Sequence, residues 1–372
     1  MERGWALDAA RQDLARMGAS GFDSKALRTD FLHRLNRVIA FDAAWFAMCD
    51  PATLLFTDAV RQEMSQESTP LFVEDEFLLD DYNKWVDLAR VPVHARSLAQ
   101  ATDGRLLSSY RYREILEPLG LGDELRAALV ADHVCWGFIC LHRELHSPEF
   151  NLMDASWLDS LAPTMAIGLR ASLLWQTSTT GSDEVGVIVL ASDLSVVAMS
   201  AAAEGWLAEV SDSDWPGLRE LPSVVLGVAA QLRAEESGRG PVESGGARLR
   251  TRGGVWLTVR GSRLAGAGVD GQMAVVLAPA APMEMAAMIM QAYDLTERER
   301  EVTGLVLKGT STKAVGAALR ISGETVQQHL KSIFDKTGVR SRRELAAQIF
   351  AGQYQPRLRN GSPIGREGWF SD

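Results

Sequence analysis

DLTEREREVTGLVLKGTSTKAVGAALRISGETVQQHLKSIFDKTGVRSRRELAAQIF, residues 294–350, decides the fold class of the carboxyl-terminal part of the chain. It predicts four short helices. Thr296 and Glu299 have the spacing of a capping box, in which each side chain accepts from the other residue's unpaired backbone N–H, and Ser341 and Glu344 repeat it. Val302, Leu305 and Val306 form one apolar stripe at helical spacing; Val326, Leu330, Ile333 and Phe334 form another. Gly309 and Gly338 stand where a helix C-cap needs positive φ. Residues 312–319, then Arg320 and Ile321, then Ser322 as N-cap of a helix running to about Lys336, give two helices joined by a very short turn.

The second of these helices divides by face. Val326, Leu330, Ile333 and Phe334 turn inward, while Gln327, Gln328 and Lys331 share the outer side. A Gln carboxamide pairs with adenine N6 and N7, and Lys reaches guanine O6 and N7, so these three suit the edges of bases in a major groove. Thr310, Ser311, Lys313, Arg340, Ser341 and Arg342 flank them and suit phosphates. The bland alternative is a small helical bundle with a solvated face. Caps, turn length and basic flanks agree independently, which favours the sharper reading.

The runs 295–299 with Val302, 309–313, Ile321-Ser322 with Thr325-Val326, 329–331, and Lys336 with 338–342 and Glu344-Leu345 resemble the LuxR-type DNA-binding domain of bacterial transcription regulators. The resemblance covers about a sixth of the chain. It implies that Gln327, Gln328 and Lys331 read bases and that Thr325, His329 and the residues around Ser311 and Ser341 hold the DNA backbone. Gln327 stands where Lys is common, Ala314 where Glu is common, and Gly316 where Ala is usual. The change at Gln327 removes a cation from the reading face, so the family's base preference does not carry over. Gly316 is expected to weaken its helix by about 1 kcal/mol relative to Ala.

At 372 residues the chain suggests two or three domains. Its 47% apolar content suits globular packing, and no run of apolar residues is long enough for a membrane span. The first 18 residues place charges where a signal peptide needs apolar ones, and 3 cysteines make no disulfide framework, so a reducing cytoplasm is expected. The net charge of −10 is unevenly spread: residues 284–372 hold 13 Lys and Arg against 10 Asp and Glu, the rest 25 against 38. The basic charge gathers in the segment that the helix pattern picks out.

Residues 1–176 read as one unit of helices around a central antiparallel sheet. Its clearest signal is a hairpin, residues 124–131 and 134–142 about Asp132-His133. Strands are also predicted at 44–49 and 54–58, a helix over about 77–88, another over 110–116, and a long closing helix that includes Phe150, Trp157, Leu161 and Leu169. The order, and the run LGLGDELRAALVADHVCWGFICLHRE in particular, is similar to a GAF domain, which implies a small-ligand site; Trp45, Phe46, Tyr82, Trp85 and Trp136 are its candidates here, with ordinary core packing as the alternative. Residues 177–184 are a polar linker. Residues 185–280 give two strands, helices and three strands, and resemble a PAS domain, expected to relay or dimerise. A Met-rich connector helix, 281–293, leads to the module at 294–352, and 353–372 form a tail without periodicity.

Other patterns are set aside. Gly266, Gly268 and Gly271 spell GxGxxG but lie between strands, as in a hairpin loop. His142 and His146 lack the zinc-protease pattern, Cys135 and Cys140 fall on opposite faces of a regular strand, and His94 reads as a packed or surface histidine, so no metal, cofactor or catalytic residue is assigned. There is no Walker A run, and Asp80 and Asp81 fall within the helix predicted over 77–88, against phosphorelay control. The fold expected is multidomain α+β, GAF-like and PAS-like antiparallel sheets followed by an all-α LuxR-type helix-turn-helix. The expected partners are double-stranded DNA at a two-fold related site, a second copy of the chain, a small-molecule effector and RNA polymerase, with no membrane. Alternatives are that the two sheet domains are ligand-free scaffolds for protein interaction and dimerisation, or that an enzyme or redox sensor is fused to the DNA-binding domain.

Overall fold

A computed structural model of the chain describes residue 9 and residues 11–16, 23–64, 68–175, 184–210, 221–236 and 246–349. The linker at 177–184, but for its last residue, and the tail at 353–372 lie outside the described residues. Two compact units form, the first carrying both sheets and the second the helices from Ala280 onward together with the short stretch 253–256. No helix among the described residues is long and apolar enough to cross a membrane.

In the first sheet the strands β1 (Ala43–Cys49), β2 (Phe56–Gln62), β3 (Ala95–Ser97), β4 (Leu121–Ala131) and β5 (Val134–Glu144) pair antiparallel in the order β2-β1-β5-β4-β3. Helix α1 (Ser24–Leu35) and the long helix α3 (Leu152–Trp175) pack together, and α3 covers β4. The β4–β5 hairpin turns where the sequence places it: Asp132 and His133 both take positive φ, 51° and 64°, as a two-residue turn between twisted strands requires. One expectation fails inside this hairpin. Leu129 faces Gly137 but Val130 faces Cys135, so a β-bulge makes Trp136 an extra residue and shifts the alternation by one. Cys135 and Cys140 therefore sit in the same buried cluster, not on opposite faces.

The helix expected over 77–88 is also displaced. The chain forms α2 (Thr69–Leu78), ends it at Leu79 with extended backbone, and makes only one further turn at Trp85–Leu88. Asp81 thus lies in an irregular stretch, where its carboxylate accepts from the Arg111 N–H at 2.7 Å and the Ser109 hydroxyl at 2.8 Å. Residues 110–116 contain a π-helical turn at Tyr112–Leu116.

The second sheet repeats the strand order of the first. Strands β6 (Gly186–Leu190), β7 (Val196–Met199), β8 (Ala247–Arg250), β9 (Trp256–Arg263) and β10 (Met273–Pro279) run β7-β6-β10-β9-β8. Gly266, Gly268 and Gly271, all with positive φ, lie in the loop between β9 and β10. Helix α4 (Ala201–Val210) packs on β6. Helix α5 (Ser223–Glu236) is apolar nearly all round, with Val224, Val225, Leu226, Val228, Ala229 and Leu232 buried, and a helix of that kind must be enclosed. It packs against β10 on one side and against β2 and α2 of the first sheet on the other. A second tie is ionic: Arg248 of β8 grips the buried Asp50 with Nε and one terminal nitrogen, each at 2.7 Å.

In the second unit, α6 (Pro282–Ala292) is the Met-rich helix. Its Ala286, Ile289 and Met290 join the core of α7 (Glu297–Leu307), α8 (Thr312–Leu319), α9 (Gly323–Thr337) and α10 (342–349). Val302, Val306, Val315, Val326, Leu330, Ile333, Leu345 and Ile349 fill that core. The predicted caps form. Glu299 N–H bonds Thr296 Oγ1 at 3.3 Å while Thr296 N–H bonds Glu299 Oε2 at 2.8 Å, and Gly309 and Gly338 have φ of 77° and 71°. At Ser341 only half the box forms as expected, since Glu344 reaches the N–H of Arg340. Gly316 has a packing reason: a Cβ there would stand 2.8 Å from the Ile321 carbonyl oxygen, so glycine lets the turn close onto α8.

Candidate functional site

The outer face of α9 is set by what the inner face buries. With Val326, Leu330 and Ile333 in the core, helical geometry leaves Gln327, Gln328 and Lys331 exposed side by side. The helix starts at Ser322, whose hydroxyl accepts from the Thr325 N–H at 3.0 Å, and its amino end is the end a groove-entering helix offers first. Arg320 makes the turn by adopting φ 54°. Ser311 caps α8 and Lys313 is exposed one residue into it. Arg342 donates to the Thr310 carbonyl at 2.9 Å and to Thr312 Oγ1 at 2.8 Å, which holds the turn before α8 to the start of α10. Thr312 Oγ1 is also 3.5 Å from Gln327 Nε2. Arg340 is exposed, and Thr310, Thr325, His329 and Ser341 are half-buried.

What fixes α9 is a buried anchor on the other side of the bundle. Glu299 accepts from Ser332 at 2.6 Å and from Lys336 at 2.8 Å in addition to its capping bond. Burial alone raises a carboxyl, but these donors, Lys336 foremost, outweigh it and hold Glu299 down at about 2. The reading helix is thus pinned to α7 by charge as well as by packing.

The second candidate site is a cleft on the first sheet. Cross-strand register sets Arg61, Trp45, Cys140 and Arg126 in one row, because Arg61 pairs with Trp45, Trp45 with Cys140 and Cys140 with Arg126. In the next row His142 faces Glu124. Trp45, Arg61, Trp85, Arg126, Cys140 and His142 line the cleft with Phe56, Phe72 and the hydroxyls of Ser68, Thr69 and Ser223, around about 510 Å³ of space partly open to solvent. Of the five aromatic candidates, the structure brings Trp45 and Trp85 together here, with ring centroids 5.9 Å apart. Phe46 follows Trp45 in the strand and must point the other way, where it stacks on Phe31. Tyr82 packs near Leu98 and Tyr112, and the bulge takes Trp136 off the lining.

Behind the cleft lies a buried ionic network. Glu124 binds Arg111 Nε at 2.8 Å and Arg126 Nε at 3.1 Å; Arg111 also binds Asp75 at 2.7 Å, and Arg126 binds Glu76 at 2.9 Å while its guanidinium covers the Trp85 ring at 4.4 Å. Burial works against the Glu124 charge, yet the two guanidiniums hold its carboxyl down at about 2. Burial pushes the His142 imidazole down to about 4 and the Cys140 thiol up, so both are neutral near pH 7. Glu124, Cys140 and His142 offer ligand atoms within 4.8 Å of one another, a grouping that the sequence reading passed over. Two guanidiniums on the same carboxylate oppose a cation there, and the trio reads as a hydrogen-bonded relay, with Cys140 Sγ 3.1 Å from Glu124 and 3.2 Å from His142 Nε2. The alternation Glu124-x-Arg126 against Cys140-x-His142 was the available signal.

Comparison with known proteins bears on the helical module. Residues 294–349 match the family described as bacterial regulatory proteins, luxR family. The monoamine regulon transcriptional regulator of Klebsiella aerogenes is 45% identical over 56 residues, 15% of this chain and 25% of that protein. The chain spans about a quarter of that relative's length. Escherichia coli SdiA aligns at 12% identity with a TM-score of 0.31, over 93% of this chain and 97% of that one. The spore germination protein GerE of Bacillus subtilis (strain 168) is 36% identical over 55 residues, 15% of this chain and 74% of GerE. With most of GerE matched by its carboxyl-terminal helices, the chain belongs to the luxR family of bacterial regulatory proteins.

Proposed function

We propose that this chain is a cytoplasmic one-component transcription regulator that binds duplex DNA through α9 and answers to a small molecule in the first-sheet cleft. The observation that carries the DNA reading is the split of α9, with Gln327, Gln328 and Lys331 exposed over a core-facing Val326, Leu330 and Ile333. Two amides and an ammonium on one exposed helical face suit base edges, and Lys313 and Arg340 suit the flanking phosphates. A single short helix touches too few bases to select a genomic site, so a dimer on two half-sites one DNA turn apart follows as part of the same reading. A ligand shifts such a regulator only by the difference in its affinity for the two arrangements.

Fluorescence anisotropy with a selected operator tests the interface. Lys331→Ala is expected to weaken specific binding by about 1 to 3 kcal/mol and unequally across sequences, while Lys313→Ala weakens it evenly and lowers the salt dependence by about one unit. An even loss at Lys331 makes it a phosphate contact, and no loss at any of the three face residues overturns the interface.

A further inference from the structure

Helix α3 stays apolar on the side turned away from its own sheet. Its inner side packs on α1, β3, β4 and β5, so the outer side is the one that ought to carry charge. It carries almost none. Of the 24 residues only Asp154, Asp159 and Arg170 are charged, and each is engaged within its own domain: Asp154 pairs with Arg143 at 3.2 Å, Asp159 accepts the His94 N–H at 2.7 Å, and Arg170 pairs with Asp132 at 2.9 Å. Leu152, Met153 and Ile167 meanwhile stand 78%, 56% and 47% exposed. The half-buried Trp157, Ala171 and Leu174 fall with them inside about 140° of the helix circumference. A helix apolar on every side is one that is enclosed. At ~1.5 Å per residue this one is about 36 Å long, roughly three heptads, a length over which paired helices hold.

The charge around the face selects what covers it. The 283 residues before Glu284 carry 25 Lys and Arg against 38 Asp and Glu, so two copies repel over most of their surface and meet most cheaply where charge is absent. A basic partner would seek the acidic surface instead. The face is also complementary to itself. Turned end for end about a two-fold axis beside Pro163 and Thr164, it sets Met153 against Leu174, Ser160 against Ile167, and Trp157 beside Ala171, large against small. A parallel pair would set Trp157 on Trp157 and Ser160 on Ser160, with crowding at one level and a gap at the next. Covering Ser160 strands no polar group, because its hydroxyl already donates to the Trp157 carbonyl at 2.8 Å.

We propose that α3 is the seam of a homodimer, in which two copies pair antiparallel through this face about a two-fold axis near Pro163. The contact is isologous, each copy giving the same residues to the other. It rests on the reading that two copies act on one DNA site, and it names where they meet.

Sedimentation of the full chain without DNA tests the seam. The parent is expected to pass from monomer to dimer as concentration rises. Ile167→Arg, at an exposed position, is expected to raise the dissociation constant more than about tenfold, and Met153→Lys to act in the same way if the first variant does not fold. Direction is read by coupling. A Ser160→Cys chain mixed with an Ile167→Cys chain is expected to form a disulfide-linked pair under mild oxidation, while neither couples with itself; Cys49, Cys135 and Cys140 are buried and keep the background low. A parent that stays monomeric overturns the proposal, as does a dimer that survives both charged substitutions, or an Ile167→Cys chain that couples with itself as readily as the mixture does. Pairing through another face would leave the DNA reading standing. Pairing through α3 by a chain that ignores duplex DNA would confirm the seam and sink the DNA reading instead.

Discussion

The two sheets share one strand order and differ in what lies on it. In the first, β4 and β5 set Glu124 opposite His142 and Arg126 opposite Cys140. At the corresponding strands of the second, β9 and β10 set Val259 opposite Leu277 and Leu257 opposite Pro279. Among the described residues, every buried Arg, Lys, Asp, Glu and His of the sheet-bearing unit lies between Arg28 and Asp154, in the first sheet's half. One topology thus supports a polar, cleft-bearing face and an apolar packing face, and the side chains at a few register positions decide which. Burying charge is costly unless each member is paired, so the first sheet carries its network at the expense of stability that the second keeps.

The largest effect expected on this contrast comes from Arg111. It is fully buried and serves Asp75, Glu124 and the Tyr82 carbonyl at once. Arg111→Ala leaves two carboxylates without their main partner and is expected to cost about 3 to 5 kcal/mol in urea unfolding. A loss under about 1 kcal/mol would mean that Arg126 and Lys84 can hold the network alone and that the polar face tolerates incomplete pairing.

Acidity separates the sheets next. The folded pKa of His142, about 4, lies below its ordinary 6.5, so the unfolded chain takes up the proton first. Its contribution to stability is present above 6.5 and is lost as pH falls toward 4. Asp123 is opposite: burial lifts its carboxyl to about 6 from 3.8, so its contribution is complete below 3.8 and is lost as pH rises through about 6. Each amounts to about 3 kcal/mol, and they nearly cancel over this window. Unfolding measured near pH 7 and near pH 4.5 is expected to change little in the parent chain. Asp123→Asn should uncover a loss on acidification, and His142→Phe a gain. Parallel behaviour of the two variants would break the account.

Much of this was legible in the sequence, because the signals were local. The caps at Thr296, Ser322 and Gly338, the Asp132-His133 turn and the order of two strands, helices and three strands in the second sheet each depend on a few neighbouring residues. What could not be read depends on geometry between distant segments. The bulge at Trp136 inverts an alternation that looks regular in sequence, and with it the placing of Cys135 against Cys140. The break after Leu78 has no proline or glycine to announce it. Of the cleft, the aromatic members Trp45 and Trp85 were within reach, while Arg61, Ser68, Thr69 and Ser223 come from separate elements and meet only in the fold.

Between the sheets, Asp50→Ala removes the carboxylate that Arg248 grips from β8. Arg248 keeps some access to water, its side chain being 16% exposed, so the expected cost is about 2 kcal/mol, below that of a fully buried pair. A change in the cooperativity of unfolding, with the two sheets melting apart, would mean that this ion pair couples them; a simple shift of the midpoint would leave that role to α5.

The smallest effect tests α5 itself. Ser223 is buried, and its hydroxyl accepts from Arg61 at 3.1 Å, a single bond between helix and sheet. Ser223→Ala removes that bond without opening a large cavity, and about 1 kcal/mol is expected. The apolar packing of α5 is far more extensive: a Cβ added at Gly227 would already touch Leu55, just before β2, and Phe77 of α2. If Ser223→Ala cost as much as Arg111→Ala, polar contacts and not packing would hold the second sheet to the first. The apolar sheet would then depend on its polar twin for more than a ligand, and the contrast between them would be one of location and not of kind.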